Sequence, residues 1–577
     1  MKQTMKSASR DDIMKKLLKN CRIVDVFTDQ IIEADILMEG ERIIGVGTYD
    51  ENDADSVENV GGKYVCPGFI DGHIHIESSM LSPTEFVRAC VVHGTSAVVA
   101  DPHEIVNVSG IAGMEYMLES TENVPMDVYF TAPSCVPATG FDENGATISS
   151  EEIEKMLENP RVVGLGEMMN YPGVIFGDPE VHKKIKTTHK AGKVVNGHAP
   201  MLKGRDLDKY ISAGIFDDHE CTSFDEALEK MQKGQWIMIR QGTAARNLEG
   251  LIDLFDEPYS RRCLLVTDDK HPADIMNSGH IDNIIRMAGE RGKSVVAGIR
   301  MATLQAALRF GFRDRGAIAP GYIANVLVLD DLQSVRVRDV YYKGERVVKD
   351  GEVTAFHENP IDDNIMKSVL GSFNLDELSE KDFIIKPESD RCRVIRVIPD
   401  QLITSEEIMN PDFGNANGIS IRDDLLKLAV IERHKNTGHI GLGFITGMGL
   451  KSGAIASSVS HDSHNIIVVG TNERDMAAAA NCIRDMRGGL AVVNNGEIIG
   501  SLALPISGLM GTESASEMAE LNEKVRSSAE ILGHADGIDP FMNLAFVSLP
   551  VIPDIKMTTQ GLVNVNKQER IELFVKC

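Results

Sequence analysis

Cysteines are few in this chain of 577 residues, and none of them are closely spaced. The nine cysteines contain no C-x-x-C pair, and their odd number does not fit a disulfide framework, so we expect reduced thiols. No apolar run approaches the ~18 residues that a membrane-spanning helix needs. The N-terminal segment is charged and lacks an apolar core, which is not the pattern of a signal peptide. Together these absences predict a cytoplasmic protein.

Basic residues are scarce relative to acidic ones. Lys and Arg number 59 against 86 Asp and Glu, which leaves a formal net charge of -27. The phosphates of a nucleic acid repel such a surface, and no basic run provides a local exception. We therefore expect no nucleic-acid partner, and the length of the chain indicates several domains.

Eight apolar, β-rich runs recur between residue 64 and residue 269. They are YVCPGFIDGHIH, TSAVVADPHE, DVYFTAPS, VVGLGEMMN, KVVNGHAP, GIFDDHE, WIMIRQG and CLLVTDD. Segments with helical periodicity separate most of them, among them SPTEFVRACVVHG, SSEEIEKMLENP and DPEVHKKIKTTHKAG. Buried strands that alternate with helices predict a parallel (β/α)8 barrel, which we place at residues 67–318.

The segments on either side of this barrel share one texture of short strands and glycine turns. We expect residues 1–66 and 319–365 to pair into a small β-sandwich domain, with a short amphipathic helix over residues 10–20. The remaining residues, 366–577, have a mixed pattern of strand-like and helix-like segments, which predicts a C-terminal α/β domain. Within it, NNGEI indicates a hairpin and NERDMAAAANCIRDMRG a helix. The predicted fold class is thus α/β, with a barrel and two accessory domains.

Side chains that can bind metals stand at the ends of several β-rich runs. The first run ends in two of them and the fourth, fifth, sixth and eighth in one each; they are His73, His75, Glu167, His198, His219 and Asp268. In a barrel of this kind, the C-terminal strand ends form the catalytic face. Nitrogen and oxygen ligands without sulfur suit Mn, Fe(II) or Zn. Six ligands exceed the needs of one catalytic metal, so we expect two divalent ions per subunit.

Each of these residues has a plain structural explanation when it is taken alone. An H-x-H pair is usually a surface or core accident, and Glu167 alone fits a buried ion pair. A single His198 or His219 fits a packed core histidine. The joint pattern decides for a metal centre, because five strand ends of one predicted barrel carry a side chain of ligand type.

The same stretches resemble a known family. PGFIDGHIHIESS, followed downstream by Glu, His, His and Asp, resembles the amidohydrolase superfamily. VVADPHEIVNV, GLGEMMNYPGV, NGHAP, TDDKHPADI and the C-terminal GLGFITGMGLKSGAIASSVSHDSHNIIVVG resemble its adenine deaminase family. The resemblance extends from about residue 20 to the end. One departure is Asn325, where the superfamily often has Asp, and we take this position to be structural.

The resemblance implies hydrolytic loss of ammonia from C6 of adenine, giving hypoxanthine, at a divalent metal centre of Mn or Fe, with Zn as the alternative. It makes Glu167 the first choice for protonating N1 of the ring, with metal ligation as its rival role. Asp268 would orient or deprotonate the attacking hydroxide and later protonate the departing amine. The superfamily also implies a homodimer formed through the β domain.

Seven further residues are candidates for contacting substrate or supporting the ligands; they are Glu77, Asp101, His103, Glu104, Asp269, His461 and His464. Glu77 shares the face of the two histidines if the first strand continues. The DPHE stretch at 101–104 either binds metal or substrate, or shapes a loop and caps a helix. SHDSHN at 460–465 is either a lid over the active site or a polar turn.

Other functions stay open at this point. The missing C-x-x-C excludes the deaminases that use an H-x-E and P-C-x-x-C signature. A hydrolase of cyclic amides, of the dihydroorotase or hydantoinase kind, often carries a carboxylated lysine where this chain has Glu167. A barrel scaffold that has lost its chemistry is the alternative from a different class.

Overall fold

The computed structural model describes residues 14–243, 245–356, 358–399, 401–414 and 417–575. Eight short, almost fully buried strands form the central part of this chain. The first seven are Phe69–His75, Thr95–Ala100, Asp127–Ala132, Val162–Met168, Val194–Gly197, Asp217–Asp218 and Trp236–Arg240. The eighth comprises Cys263–Val266 and, one residue later, Asp268–Asp269. All neighbouring pairs in the ladders are parallel, as the buried runs predict.

The eighth strand returns to the first, so the sheet curls into a barrel. Asp268 pairs with Ile74 and Asp269 with His75. Strands one to five form one ladder and strands six to eight another. Between the fifth and sixth strands, the Gly197 N–H donates to Asp217 Oδ1, and a Cβ at 197 would lie 2.0 Å from the Asp217 carbonyl oxygen. Only glycine permits this approach, and the predicted (β/α)8 architecture is confirmed.

Helices alternate with these strands. Three of them were predicted from periodicity and are confirmed as Pro83–Val91, Ser150–Met156 and Pro179–Lys190. Each begins at a side-chain cap, because Ser82, Ser149 and Asp178 accept the free N–H groups of the first turn. The other barrel helices are His103–Ser120, Tyr171–Phe176, Gly204–Ser212, Phe224–Gln232, Pro272–Ser278, Ile281–Glu290, Val295–Arg300 and Ala306–Phe310.

The segments before and after the barrel form one nine-stranded sheet. Its strands are Lys15–Asp25, Gln30–Glu39, Arg42–Gly47, Ser56–Asn59 and Tyr64–Pro67 before the barrel, and Val326–Leu329, Val337–Tyr342, Glu345–Lys349 and Glu352–Val353 after it. Tyr64–Pro67 and Val326–Leu329 pair antiparallel and join the two segments. Beside this junction, Asn325 Oδ1 accepts the Lys343 N–H at 2.9 Å, which is a structural contact.

The helix predicted over residues 10–20 is wrong in its described part, since Lys15 begins a strand; residues 10–13 lie outside the described residues. Leu17 and Leu18 are both buried and pair with Leu37 and Ile36 of the next strand. Two adjacent leucines fit the apolar stripe of a helix as well as they fit a strand. Pairing with strands on both sides decides for the strand.

The C-terminal part is built on an eight-stranded mixed sheet. Its strands are Cys392–Val397, Thr404–Met409, Leu426–Ile431, Ile440–Thr446, Ala454–Ser457, Ile466–Gly470, Gly489–Asn494 and Glu497–Ala503. The last two form the predicted hairpin, turning at Asn495 and Gly496, which both have positive φ. The predicted helix is Glu473–Met486. The remaining elements are Asp363–Leu370, Ala515–Ile531, Pro540–Ala545 and a small sheet of Ile555–Thr558, Gly561–Asn564 and Glu569–Arg570.

One loop of this C-terminal part packs against the barrel. It connects Ala454–Ser457 to Ile466–Gly470 and is called the 458–465 loop below. Its side chains from Ser460 to Asn465 are all buried, and Asn465 Nδ2 donates to the Glu143 carbonyl of the barrel at 2.9 Å. Among the described residues, no helix combines the length and apolarity needed to cross a bilayer.

Candidate metal centre

The six residues of ligand type converge at one end of the barrel. Five of them are buried, and only His198 is partly exposed. Ligand atoms of His73, His75 and Asp268 all lie within 4.8 Å of one another, and so do those of His73, Glu167 and His219. Side chains from five different strand ends therefore share one small volume, as the barrel geometry predicts.

Glu167 lies in the middle of this cluster. Its Oε1 is 3.4 Å from His75 Nε2, while its Oε2 is 2.7 Å from His198 Nδ1 and 3.1 Å from His219 Nε2. On the side of His75, Asp268 Oδ1 is 3.2 Å from the same Nε2. One carboxylate oxygen of Glu167 thus faces each half of the cluster.

The backbone sets the orientation of His75. Its Nδ1 lies 3.0 Å from the Asp101 carbonyl oxygen, which can only accept, so Nδ1 carries a proton and Nε2 is the ring nitrogen that faces the cluster. Asp101 also accepts the Glu167 N–H at 2.8 Å through Oδ2. Asp101 therefore fixes the ends of the first and fourth strands relative to each other.

Glu77 does not share the face of the two histidines. The first strand ends at His75, where its apolar run also ends, and residues Ile76–Ser79 form a 3-10 turn, so the condition for Glu77 to share that face is not met. The Glu77 side chain instead accepts the Ile105 N–H at 3.1 Å, near the start of a helix. Burial and the neighbouring Glu104 raise the pKa of Glu77 to about 8.

Two charged residues of the site were missed by the sequence analysis. Arg240 holds both oxygens of Glu220, at 2.6 and 2.8 Å, and Asp268 Oδ2 at 2.5 Å. Glu220 Oε1 in turn lies 3.2 Å from His219 Nε2. Both residues stand at run ends, in GIFDDHE and WIMIRQG, so the strand-end position was the signal that could have found them.

The charges of this cluster compensate one another. Burial raises the pKa of Asp268, but Arg240 and His73 outweigh it and hold that pKa well below the usual range. Burial likewise opposes ionisation of Glu167, yet His198 and His219 keep its pKa well below normal. Both carboxylates are therefore ionised at neutral pH, as metal ligands must be.

The residues present fit a divalent cation. Burial and the neighbouring His219 lower the pKa of His73, so its ring is in the neutral, metal-binding form. His73 Nε2 is buried and has no hydrogen-bond partner among the described residues, with Asp268 Oδ1 3.6 Å away. A nitrogen in that position loses free energy unless a ligand satisfies it, and imidazole with carboxylate is a donor set for Mn, Fe or Zn.

A second polar group adjoins this cluster and includes the 458–465 loop. Glu104 Oε1 lies 3.0 Å from Ser78 Oγ and 3.2 Å from His461 Nδ1. Ser78 also reaches Asp269 Oδ1 at 2.5 Å, and His464 lies within the same 4.8 Å group as Glu104 and His461. The 458–465 loop is thus in contact with the barrel residues beside the centre.

Comparisons with known proteins agree with this architecture. The chain matches the model of the amidohydrolase family over residues 64–347 and that of the adenine deaminase C-terminal domain over residues 401–569. It is 45% identical to the adenine deaminase of Desulfatibacillum aliphaticivorans over 572 residues, which span 98% of this chain and 99% of that protein. The adenine deaminase of Clostridium acetobutylicum is 44% identical over 553 residues, 95% of this chain and 96% of that one. The chain belongs to the adenine deaminase family of the amidohydrolases.

Proposed function

We propose that this chain hydrolyses free adenine to hypoxanthine and ammonia at a centre of two divalent cations. The observation that carries the proposal is the position of Glu167, whose two oxygens face two separate sets of ligand side chains. Family membership over nearly the full chain supports adenine as the substrate.

The cluster divides into two proposed ligand sets. His73, His75 and Asp268 would hold one cation, His198 and His219 the other, and Glu167 would contribute to both. A divalent cation bound there supplies Lewis-acid activation of water at neutral pH. Donors of nitrogen and oxygen only are compatible with Mn, Fe and Zn, and the family resemblance places Mn and Fe first with Zn as the alternative.

Asp268 is the proposed base of the reaction. Arg240 binds its Oδ2 and so fixes the carboxylate plane, while Oδ1 stays on the side of His73 and His75. The charge of Arg240 also keeps Asp268 ionised, which is the form that accepts a proton from water. Asp268 can afterwards return that proton to the departing amine.

The geometry favours ligation over proton delivery for Glu167. Both of its oxygens already contact histidine nitrogens, so neither is free to approach N1 of a purine. The fourth strand also ends in this glutamate, where many cyclic-amide hydrolases have a carboxylated lysine. At that position, Glu167 would supply a carboxylate to both cations without prior modification.

The test is turnover by protein reconstituted with Mn. Ammonia release is measured with adenine, adenosine and cytosine, and ring opening is measured separately with dihydroorotate. We expect turnover of adenine alone. Ring opening of dihydroorotate without deamination of adenine would favour a cyclic-amide hydrolase. Full metal content with no turnover of any substrate would favour a barrel scaffold.

We also propose a cytoplasmic homodimer whose interface is the nine-stranded sheet, with residues 1–66 and 319–365 as one domain, 67–318 as the barrel and 366–577 as the C-terminal domain. The sheet exposes the apolar side chains of Ile31, Ile32, Ile44 and Val57. Sedimentation velocity should give a dimer, and Ile32→Glu with Ile44→Glu should give a monomer. A wild-type monomer at micromolar concentration would contradict this assembly.

A further inference from the structure

His103 lies beside the candidate metal centre but outside the two proposed ligand sets. It is the first residue of the helix that follows the second barrel strand, and its ring packs edge-on against His75, with centroids 4.7 Å apart. Its Nδ1 is 3.6 Å from Glu167 Oε1 and 3.6 Å from Asp101 Oδ1. Ligand atoms of His75, His103 and Glu167 all lie within 4.8 Å of one another.

The other ring nitrogen of His103 faces the C-terminal domain. His103 Nε2 is 3.7 Å from Oδ1 of Asp462, which belongs to the 458–465 loop. Asp462 is only 2% exposed and His103 only 4% exposed. Among the described residues, His103 Nδ1 and Asp462 Oδ2 are buried without a hydrogen-bond partner. Since burying such polar atoms unsatisfied costs about 1–3 kcal/mol each, a ligand is expected at Nδ1.

We propose that His103 binds the metal centre through Nδ1 and that Asp462 is the carboxylate that orients it. Metal-binding histidines usually donate their second ring N–H to a carboxylate or carbonyl, which fixes the tautomer and the ring plane. A cation at Nδ1 places the ring proton on Nε2, the atom that faces Asp462. The separation of 3.7 Å then needs to shorten by roughly 0.8 Å to become a hydrogen bond.

This arrangement gives the C-terminal domain a role in the centre of the same chain. The inference rests on the metal centre of the proposed function, but it adds a ligand that lies outside the six strand-end residues. Asp462 acts through His103 and is a positioning residue. In the competing arrangement, His103 is a protonated cation among Asp101, Glu167 and Asp462, and it makes no contact with metal.

The test is metal affinity, measured on full-length protein by competition of Mn with a chromogenic chelator at constant pH. His103→Gln and Asp462→Asn should each raise the Kd of one bound Mn by roughly 10- to 100-fold. The double variant should bind no more weakly than His103→Gln alone, because Asp462 acts only through that ring. Ser463→Ala, in the same loop, should bind as wild type does, since among the described residues its hydroxyl makes no hydrogen bond to the barrel.

Several results would overturn the inference. If His103→Gln bound Mn with wild-type affinity, His103 would not be a metal ligand. If the losses were additive in the double variant, Asp462 would act independently of His103. An equal loss in Ser463→Ala would assign the effect to the loop as a whole. Thermal unfolding of the metal-free variants establishes whether they fold. If Asp462→Asn does not fold, the Mn affinity of His103→Gln and the Co(II) absorption spectrum of His103→Gln decide whether His103 is a ligand. Adenine turnover is not part of the measurement, so failure of the proposed function is seen separately.

Discussion

The C-terminal strand ends of the barrel, called the rim below, carry the six residues of ligand type. The rim and the 458–465 loop both bring buried histidines and carboxylates to one place, but they hold them differently. On the rim, each side chain is positioned by the register of a parallel strand, as when Asp268 pairs beside Ile74. The loop is held by single contacts, such as the His464 N–H to the Ser460 carbonyl and Asn465 to the Glu143 carbonyl. Rim variants should therefore act on the metal directly, whereas loop variants should act through the orientation of barrel residues.

The largest effect is expected at Glu167, where the two ligand sets meet. Glu167→Gln should lower turnover by orders of magnitude and lower metal content with it, because a neutral amide cannot supply charge to both sets. Elemental analysis and ammonia release measure the two quantities on one preparation. Glu158→Gln, in the exposed turn that follows helix Ser150–Met156, is the matched control and should change neither. Full metal content with lost turnover would restore the proton-shuttle role predicted from the sequence.

Arg240 tests the charges behind the rim. Arg240→Met leaves the buried Asp268 and the partly buried Glu220 without their common partner. Breaking a buried pair in this way destabilises a protein by about 3–5 kcal/mol, so the thermal midpoint and kcat should both fall. Arg240→Lys keeps the charge but cannot contact both Glu220 oxygens and Asp268 as the guanidinium does. Its thermal midpoint and kcat should lie between those of wild type and Arg240→Met. A midpoint unchanged in Arg240→Met would show that the carboxylates are satisfied by other groups.

The rim was predictable from the sequence because its geometry repeats. Each ligand follows a short buried run, and parallel strands of one barrel bring such positions to the same end. Glu220 and Arg240 occupy equivalent positions, but arginine is not a metal ligand, and the sequence analysis took the neighbouring His219 as the single ligand of its run. Asp462 has no such signal, since its contact with His103 depends on how a loop of one domain packs on another.

The error in the fold has the same origin. Residues 15–20, the first part of strand Lys15–Asp25, fit a helix when only their own sequence is considered, and pairing with Gln30–Glu39 and Ser56–Asn59 decides for the strand. The first barrel strand ends at His75, as its run does, and the 3-10 turn that follows leaves Glu77 beside the Ile105 amide. Local periodicity thus predicts the elements, while contacts between elements determine their ends.

A smaller effect is expected where the loop meets Glu104. His461 lies 3.2 Å from Glu104 Oε1 and stacks on Phe546 with ring centroids 4.3 Å apart. His461→Phe keeps the stacking but removes the donor, which should cost about 1–3 kcal/mol of stability and lower kcat. Metal content should stay at the wild-type value, because Glu104 still has Ser78 and the rim ligands are untouched. A variant that loses metal as Glu167→Gln does would place His461 in the metal centre itself. His461→Gln, which retains a donor, is the control.

The smallest effect is expected at the exposed contact between the same two domains. His439 Nδ1 lies 2.8 Å from Glu143 Oε1, and the His439 side chain is 58% exposed. Exposed pairs of this kind contribute no more than about 1 kcal/mol, so His439→Ala should leave the thermal midpoint, KM and kcat nearly unchanged. Glu143→Ala also removes the contact with Thr559 Oγ1 and should have the larger effect of the two. If His439→Ala shifted KM as strongly as His461→Phe lowers kcat, the C-terminal domain would be coupled to the barrel through its surface. The effect of the C-terminal domain on the barrel would then not depend on the buried 458–465 loop, because an exposed contact between the two domains would influence turnover as strongly.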